Sequence, residues 1–187
     1  MATATPTITN GVNVTQLGDT VNLIKQQPAI ARFTFRAETV WQGGGRSTTR
    51  IEGFYGAGQE MPHGRAIELA GDEPPVLLGT DTAANAVEVI LHALGSCLAV
   101  GFAYNAAAQG IQIEELRFRS EGDLDLHGFL GLSEKVRPGF ENIRFTVSVK
   151  ANAPREKLNE LCAYVQRTSP VLDIIRNPVP VTVTLAP

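Results

Sequence analysis

Apolar residues in the first third of the chain are spaced as in a short helix followed by a β-hairpin. After Val14 they recur at helical intervals, which predicts a short amphipathic helix. These positions are Leu17, Val21 and Ile24. Apolar residues at mostly alternate positions from Phe33 to Trp41 predict a strand. The glycines at 43–45 predict a turn into a partner strand at 46–55.

The middle of the chain joins a Gly- and Pro-rich segment to a long apolar helix. Residues 56–80 are rich in Gly and Pro and are predicted to form a long loop over the functional site. Asn85 and Glu88 have the spacing of a capping box, in which each side chain accepts the other residue's backbone N–H. The helix is predicted to continue to Gln109 and to stop at Gly110.

The second half of the chain adds strands and helices in a mixed order. Residues 113–120 and 143–149 are predicted to be strands, and the second has the clearest alternation of apolar and polar residues. Pro154 is predicted to start a second long helix, and Ser169 to cap a short helix that opens with a proline. Alternating apolar residues at 179–185 predict a final strand. This order indicates an α+β fold and not a doubly wound sheet.

Composition and charge narrow the classes of function. The 187 residues are 43% hydrophobic and 19% charged with a net charge of −3, so neither nucleic acid nor a membrane surface is an expected partner. The apolar stretch 86–108 is interrupted by Glu88, His92 and Asn105, which favours a buried core helix over a membrane span. The polar N-terminus does not resemble a signal peptide. Two cysteines are too few for a disulfide scaffold, and no motif indicates a metal or a cofactor. We therefore expect a reducing, cytoplasmic compartment.

Cys97 is the residue that can carry chemistry. Free cysteine is among the most buried residue types, so an inert core residue is one interpretation. Three motifs favour a reactive one, in this order along the chain: Gly-Gly-Gly-Arg46, the helix from Asn85 to Cys97, and Ser169-Pro-Val with Asn177-Pro-Val-Pro. They resemble the arginine hairpin, the active-site helix and the second site of the OsmC/Ohr-like family. The resemblance covers about residues 30–186.

The resemblance implies both an architecture and a chemistry. Residues 1–29 would be an N-terminal extension with a short helix, and residues 30–187 a single OsmC-like domain. In that domain long central helices pack against antiparallel sheets, within an intertwined homodimer. Cys97 would attack a hydroperoxide as thiolate, and Arg46, supplied across the dimer, would hold it ionised. Only the thiolate is nucleophilic, and a nearby guanidinium favours that form.

The sequence departs from the family pattern at the second site. The position where the peroxidases have their second cysteine is Ser169, which cannot form a disulfide. The position of the family's glutamate is Val87, and the neighbouring Glu88 is better explained by the capping box. Ser169 and Glu88 are candidates for lining the site.

Cys162 offers a different pairing for Cys97. It lies 65 residues further along the chain, close to the separation of the two cysteines in the family. However, it shares an apolar helix face with Leu158 and Val165, which favours a place in the core.

Two main hypotheses about function remain. The first is a single-cysteine thiol protein that reduces organic hydroperoxides through Cys97 with an external thiol reductant, a thiol-dependent peroxidase. The alternative is a non-catalytic OsmC-like member that binds an apolar small molecule at the dimer interface. A purely structural or partner-binding domain would require Cys97 to be inert.

Overall fold

The structure is a computed structural model that describes residues 7–187, and these residues divide into two units. One unit comprises Thr15–Ile90, and the other comprises Thr7–Val14 together with Leu91–Pro187. Antiparallel sheets and helices occur together in the chain, which confirms the α+β class. The start of the predicted N-terminal extension, residues 1–6, lies outside the described residues, and the domain boundaries stay predictions.

The elements follow the chain in this order. The strands are β1 (Ile8–Thr9), β2 (Val12–Asn13), β3 (Thr34–Phe35), β4 (Glu38–Gly43), β5 (Arg46–Gly56), β6 (Gln59–Gly71), β7 (Ile113–Asp123) and β8 (Asn142–Ala151). The helices are α1 (Val14–Gln26), α2 (Ala86–Ala108), α3 (Leu126–Phe129), α4 (Arg155–Thr168) and α5 (Pro170–Arg176). Short 3₁₀ turns lie at Pro28–Ala31 and Pro75–Leu77.

The first unit is built on a four-stranded antiparallel sheet with β5 at its centre. β3 and β4 follow one another along one edge of β5, so the single strand predicted for residues 33–41 is interrupted. β6 pairs with the other edge of β5. The predicted short helix is present as α1, and the predicted hairpin is present as β4 and β5.

The loop predicted for residues 56–80 is wrong for most of its length. β6 occupies 13 of these residues and pairs with β5 from Gly56↔Gln59 to Ser47↔Gly71. The prolines and glycines of this segment mislead because an edge strand tolerates them, and Pro62 lies where the register shifts, opposite Gly53. A Cβ atom on Gly53 would lie 2.6 Å from the carbonyl oxygen of Met61, so this close approach of two backbones requires glycine.

The loop that follows β6, residues 73–81, is held at its base by one buried carboxylate. Asp72 is 2% exposed and accepts hydrogen bonds from the backbone N–H of Glu73 and from the backbone N–H and hydroxyl of both Thr80 and Thr82. The hydroxyl of Thr80, followed by the backbone N–H of Thr82, holds the pKa of the Asp72 carboxyl well below its usual range. The loop 73–81 is thus tied at its base to a single side chain.

The second unit contains the buried core. β7 and β8 form an antiparallel pair whose inner side chains, including Phe118 and Phe145, pack against α2 and α4. Leu94, Leu98 and Phe102 of α2 are buried there, which confirms the predicted core helix. By length and composition alone α2 would also be long and apolar enough to cross a membrane.

The ends of α2 agree with the prediction. Glu88 accepts the backbone N–H of Asn85 at 3.0 Å, and Asn85 accepts that of Glu88 at 2.9 Å, so the capping box is formed. Gly110 follows the helix with a φ of 70°, the left-handed conformation that ends many helices.

The final strand predicted for residues 179–185 is wrong for the chain as described. This segment has no strand pairing within residues 7–187, and its apolar side chains are 46–99% exposed. Pro178 and Pro180 lack the N–H groups that would join a ladder. Alternating apolar and polar residues indicate a strand with one buried face, but the strand forms only where a neighbouring strand supplies hydrogen-bond partners.

Asp72→Asn should lower the thermal unfolding temperature at pH 7, because the amide N–H₂ cannot accept the hydrogen bonds that the carboxylate accepts. Since folding depresses the pKa of Asp72, its contribution is present above the ordinary carboxyl pKa of about 4 and is lost as the pH falls below that value. The difference in unfolding temperature between wild type and variant should therefore narrow below about pH 4.

Asp81→Asn is the matched control, because it removes the same charge from the same loop at a residue that is exposed. Thermal unfolding of the three proteins at several pH values checks the prediction. Equal destabilisation by the two substitutions would contradict it.

Candidate active site

Cys97 lies near the middle of α2 and at the margin of the core. Its neighbours Leu94 and Leu98 are buried, and Cys97 itself is half-buried. The side chain is therefore supported by the core while part of its surface stays accessible. A thiol in this setting can be held in a fixed orientation and still meet a small molecule.

Ser169 lies at the junction of two helices. It follows the last residue of α4 and caps α5, where its Oγ accepts the backbone N–H of Leu172 at 3.2 Å. Pro170 takes the first helical position, which suits its fixed φ and missing N–H. The predicted N-cap is thus confirmed, and the Ser169 residue is only 5% exposed.

The sulfur of Cys97 and the hydroxyl of Ser169 are in contact. The Sγ–Oγ distance is 3.2 Å, although the two residues are 72 positions apart in the chain. The motif match predicted this proximity, and the structure has it.

A close approach of α2 and α4 explains how the contact arises. A Cβ atom on Gly101 would lie 3.0 Å from Cγ1 of the buried Val165, nearer than the about 3.5–4.0 Å of ordinary carbon contacts. Cys97 lies one helical turn before Gly101, and Ser169 lies one turn after Val165. The two contacts run backward along α2 and forward along α4, so the chain segments are antiparallel here, and the approach at Gly101 and Val165 lies beside the contact of Cys97 with Ser169.

A sequence profile of the family described as OsmC-like protein matches residues 79–184, more than half of the chain. The chain belongs to the OsmC-like family. No curated protein matches it.

Solved OsmC-like structures share the fold at low sequence identity. An OsmC-like protein from Mycoplasma pneumoniae is 14% identical, with 78% of this chain and 89% of that chain covered at a TM-score of 0.59. An organic hydroperoxide resistance protein OsmC from Legionella pneumophila is 16% identical, with 77% and 90% covered at a TM-score of 0.51. An OsmC-like protein of unknown function from Vibrio cholerae is 14% identical, with 74% and 91% covered at a TM-score of 0.51.

The second cysteine of this OsmC-like protein packs with the core. Cys162 on α4 is partly buried against the core cluster, and its Sγ lies 3.6 Å from the side-chain nitrogen of Gln166. This confirms the core position predicted from its helix face. Cys97 and Cys162 are both free thiols.

The Glu88 carboxylate takes part in the capping box of α2, and Arg46 is exposed. The carboxylate of Glu88 accepts the N–H of Asn85 at the start of α2. Arg46 opens β5 in the first unit, and its guanidinium makes no hydrogen bond or ion pair within residues 7–187. A role for either residue at Cys97 stays a prediction.

One part of the site was not predicted from the sequence: the backbone N–H of Leu172, which donates to the Ser169 oxygen. The N-cap motif was the available signal, because such a cap accepts from the second or third residue of its helix. Among residues 7–187 no group of three His, Cys, Asp or Glu side chains could hold a metal ion.

Ser169→Cys should form an intramolecular disulfide with Cys97 under mild oxidation. The 3.2 Å Sγ–Oγ contact requires only a small movement to reach the S–S length of about 2.05 Å. Loss of the serine cap should cost about 1–2 kcal/mol of stability. Peptide mapping after one equivalent of an organic hydroperoxide checks the pairing.

The same variant with Cys162→Ser is the control that assigns the bridge, and wild type should form none. A free Cys97 in the oxidised variant, or a bridge between Cys97 and Cys162 in wild type, would show that Ser169 does not stand at the second-cysteine position.

Proposed function

We propose that this OsmC-like protein reduces organic hydroperoxides through Cys97. The observation that carries the proposal is the contact of the half-buried Cys97 sulfur with Ser169, the position that corresponds to the family's second cysteine. A neighbour in fold, the Legionella pneumophila protein, is named an organic hydroperoxide resistance protein.

In the proposed reaction the hydroperoxide first oxidises Cys97, and external thiols then reduce it. The Cys97 thiolate attacks the outer oxygen of the hydroperoxide, the O–O bond breaks, and the alkoxide leaves and takes up a proton to become an alcohol. Cys97 becomes a sulfenic acid. Because Ser169 cannot supply a thiol, an external thiol condenses with the sulfenic acid, releasing water and forming a mixed disulfide. A second external thiol then displaces Cys97 and leaves as the oxidised disulfide. A reducing, cytoplasmic compartment would supply such thiols.

A homodimer is part of this proposal. Among the described residues 15–90 only Gly56 and Asp72 are buried, and no apolar side chain is, so the sheet of the first unit lacks a core of its own. The alternating segment 179–185 is likewise left exposed and unpaired within residues 7–187. A sheet without a core needs further apolar surface to be stable, and a second copy of the chain would supply it. Arg46 would reach Cys97 across that dimer.

A second candidate function is the binding of an apolar small molecule at the dimer interface without catalysis. The serine at position 169 favours it, because the family's disulfide cannot close there. Hydroperoxide consumption by the wild-type protein, measured with a dithiol reductant, separates the two functions.

Cys97→Ser should reduce hydroperoxide consumption to the level of the uncatalysed reaction, because it removes the proposed nucleophile. Cys162→Ser is the matched control and should keep most of the activity, since Cys162 packs with the core. The measurement is the rate of loss of an organic hydroperoxide with excess dithiol. Equal losses in the two variants would mean that both cysteines take part.

Sedimentation equilibrium should give the mass of a dimer at micromolar protein concentration. The reason is the unburied first unit, which a single chain leaves without a core. A monomer at this concentration would contradict the proposed assembly.

A further inference from the structure

The hydroxyl of Ser169 has a restricted choice of hydrogen bonds. A serine hydroxyl has one proton to donate and two lone pairs that accept. One lone pair is used by the N–H of Leu172, which can only donate. The hydroxyl proton then needs an acceptor, because a buried donor left unsatisfied is unfavourable.

Within residues 7–187 the Cys97 sulfur is the one remaining partner of this hydroxyl. The Ser169 side chain makes two hydrogen bonds there, one with Leu172 and one with Cys97. The residue is 5% exposed, so solvent contributes little. If the thiol donated to the oxygen instead, the serine proton would point at no acceptor among these residues. The arrangement therefore favours the hydroxyl as donor and the sulfur as acceptor.

We infer that Ser169 donates its hydroxyl proton to the Cys97 sulfur and thereby stabilises the reactive thiolate. A thiolate accepts a hydrogen bond more strongly than a neutral thiol, so a donor fixed at this distance favours the ionised form. The N-cap fixes the donor, because the bond from Leu172 orients the oxygen at the start of α5. Ser169 thus takes part in the reaction as a donor to the nucleophile.

This inference rests on the proposed function in that it concerns the same nucleophile, but it concerns ionisation and not peroxide reduction. In members with two cysteines a thiol stands here and is consumed when the disulfide forms. The serine of this chain keeps its hydrogen bond throughout, and it also lies beside the sulfenic acid once that has formed.

The test compares Ser169→Gly with Ser169→Thr in the full-length protein. Glycine removes the hydroxyl but is a tolerated N-cap, whereas threonine keeps both the donor and the cap. The rate of alkylation of Cys97 by iodoacetamide is measured from about pH 5 to pH 10 by peptide mass spectrometry. Cys162 is alkylated in the same samples and serves as the internal control.

Ser169→Gly should shift the Cys97 profile to higher pH and slow alkylation about tenfold at pH 7, while the rate at high pH equals or exceeds that of wild type. Ser169→Thr should stay near wild type, and the Cys162 profile should not move in either variant. A Cys97 profile that keeps its position in Ser169→Gly would overturn the inference, and so would a rate lowered equally at every pH, which indicates altered access. Thermal unfolding verifies that the Gly variant is folded.

The assay separates this inference from the proposed function. A shifted profile in a protein that consumes no hydroperoxide would support the role of Ser169 and reject the peroxidase. Hydroperoxide consumption with an unmoved profile would reject the role of Ser169 alone.

Discussion

The packing of α2 against α4 at Gly101 is the constraint on which the site depends. A Cβ atom at this position would lie 3.0 Å from Cγ1 of Val165, which is itself buried, so Val165 would have to shift by a few tenths of an ångström. Helix axes that pack through larger side chains lie further apart, within a range of about 8–10 Å. The side chains of Cys97 and Ser169 are both short, so their 3.2 Å contact depends on a close approach of the two chain segments. The absence of a side chain at Gly101 thus favours the close approach one turn away from the Cys97–Ser169 contact.

A hydroxyl at position 169, where the family resemblance implies a second thiol, changes the kind of interaction that the proposed nucleophile makes. A second thiol gives a covalent bond that protects the oxidised sulfur but must be reduced in each cycle. A hydroxyl gives only a hydrogen bond, which needs no reductant, and it leaves the oxidised sulfur accessible to external thiols and to further hydroperoxide. The proposed cycle therefore depends on how quickly an external thiol arrives, because a sulfenic acid that waits can be oxidised further.

The helix caps near the site could be predicted because their signals are local. The capping box of Asn85 and the N-cap of Ser169 are each defined by a motif of a few consecutive residues, and both are present as expected. The proximity of Cys97 and Ser169 was predicted from the resemblance of Ser169 to the family's second-cysteine position, since no spacing rule connects residues 72 positions apart. The contribution of Gly101 was not visible, because an isolated glycine in an apolar helix gives no indication of what faces it.

The errors concern strands, whose formation depends on distant backbone. β6 forms although its prolines and glycines resemble a loop, because β5 offers a partner backbone from Ser47 to Gly56, with one shift of register at Gly53. Residues 179–185 alternate like a strand and pair with nothing within residues 7–187. In both cases the local sequence pattern reports only on side chains. Strand pairing also needs a second backbone segment, and the local pattern does not reveal whether one is present.

Because the Asp72 carboxylate holds the base of the loop 73–81, the backbone path of this loop does not depend on the side chains at its tip. The hydrogen bonds at its base come from Glu73, Thr80 and Thr82, and none comes from the tip. Val76 and Leu78 are 84% and 91% exposed, so their side chains do little to hold the loop. The side chain at position 76 can therefore change without a new backbone path, whereas Gly79 cannot be replaced, because a Cβ atom there would overlap the carbonyl oxygen of Glu73. Leu78 is less free than Val76, because its φ of 64° suits asparagine or glycine better than most side chains. A change of side chain at position 76 thus leaves the base of the loop intact, whereas a change at Asp72 or its two threonines removes hydrogen bonds that hold it.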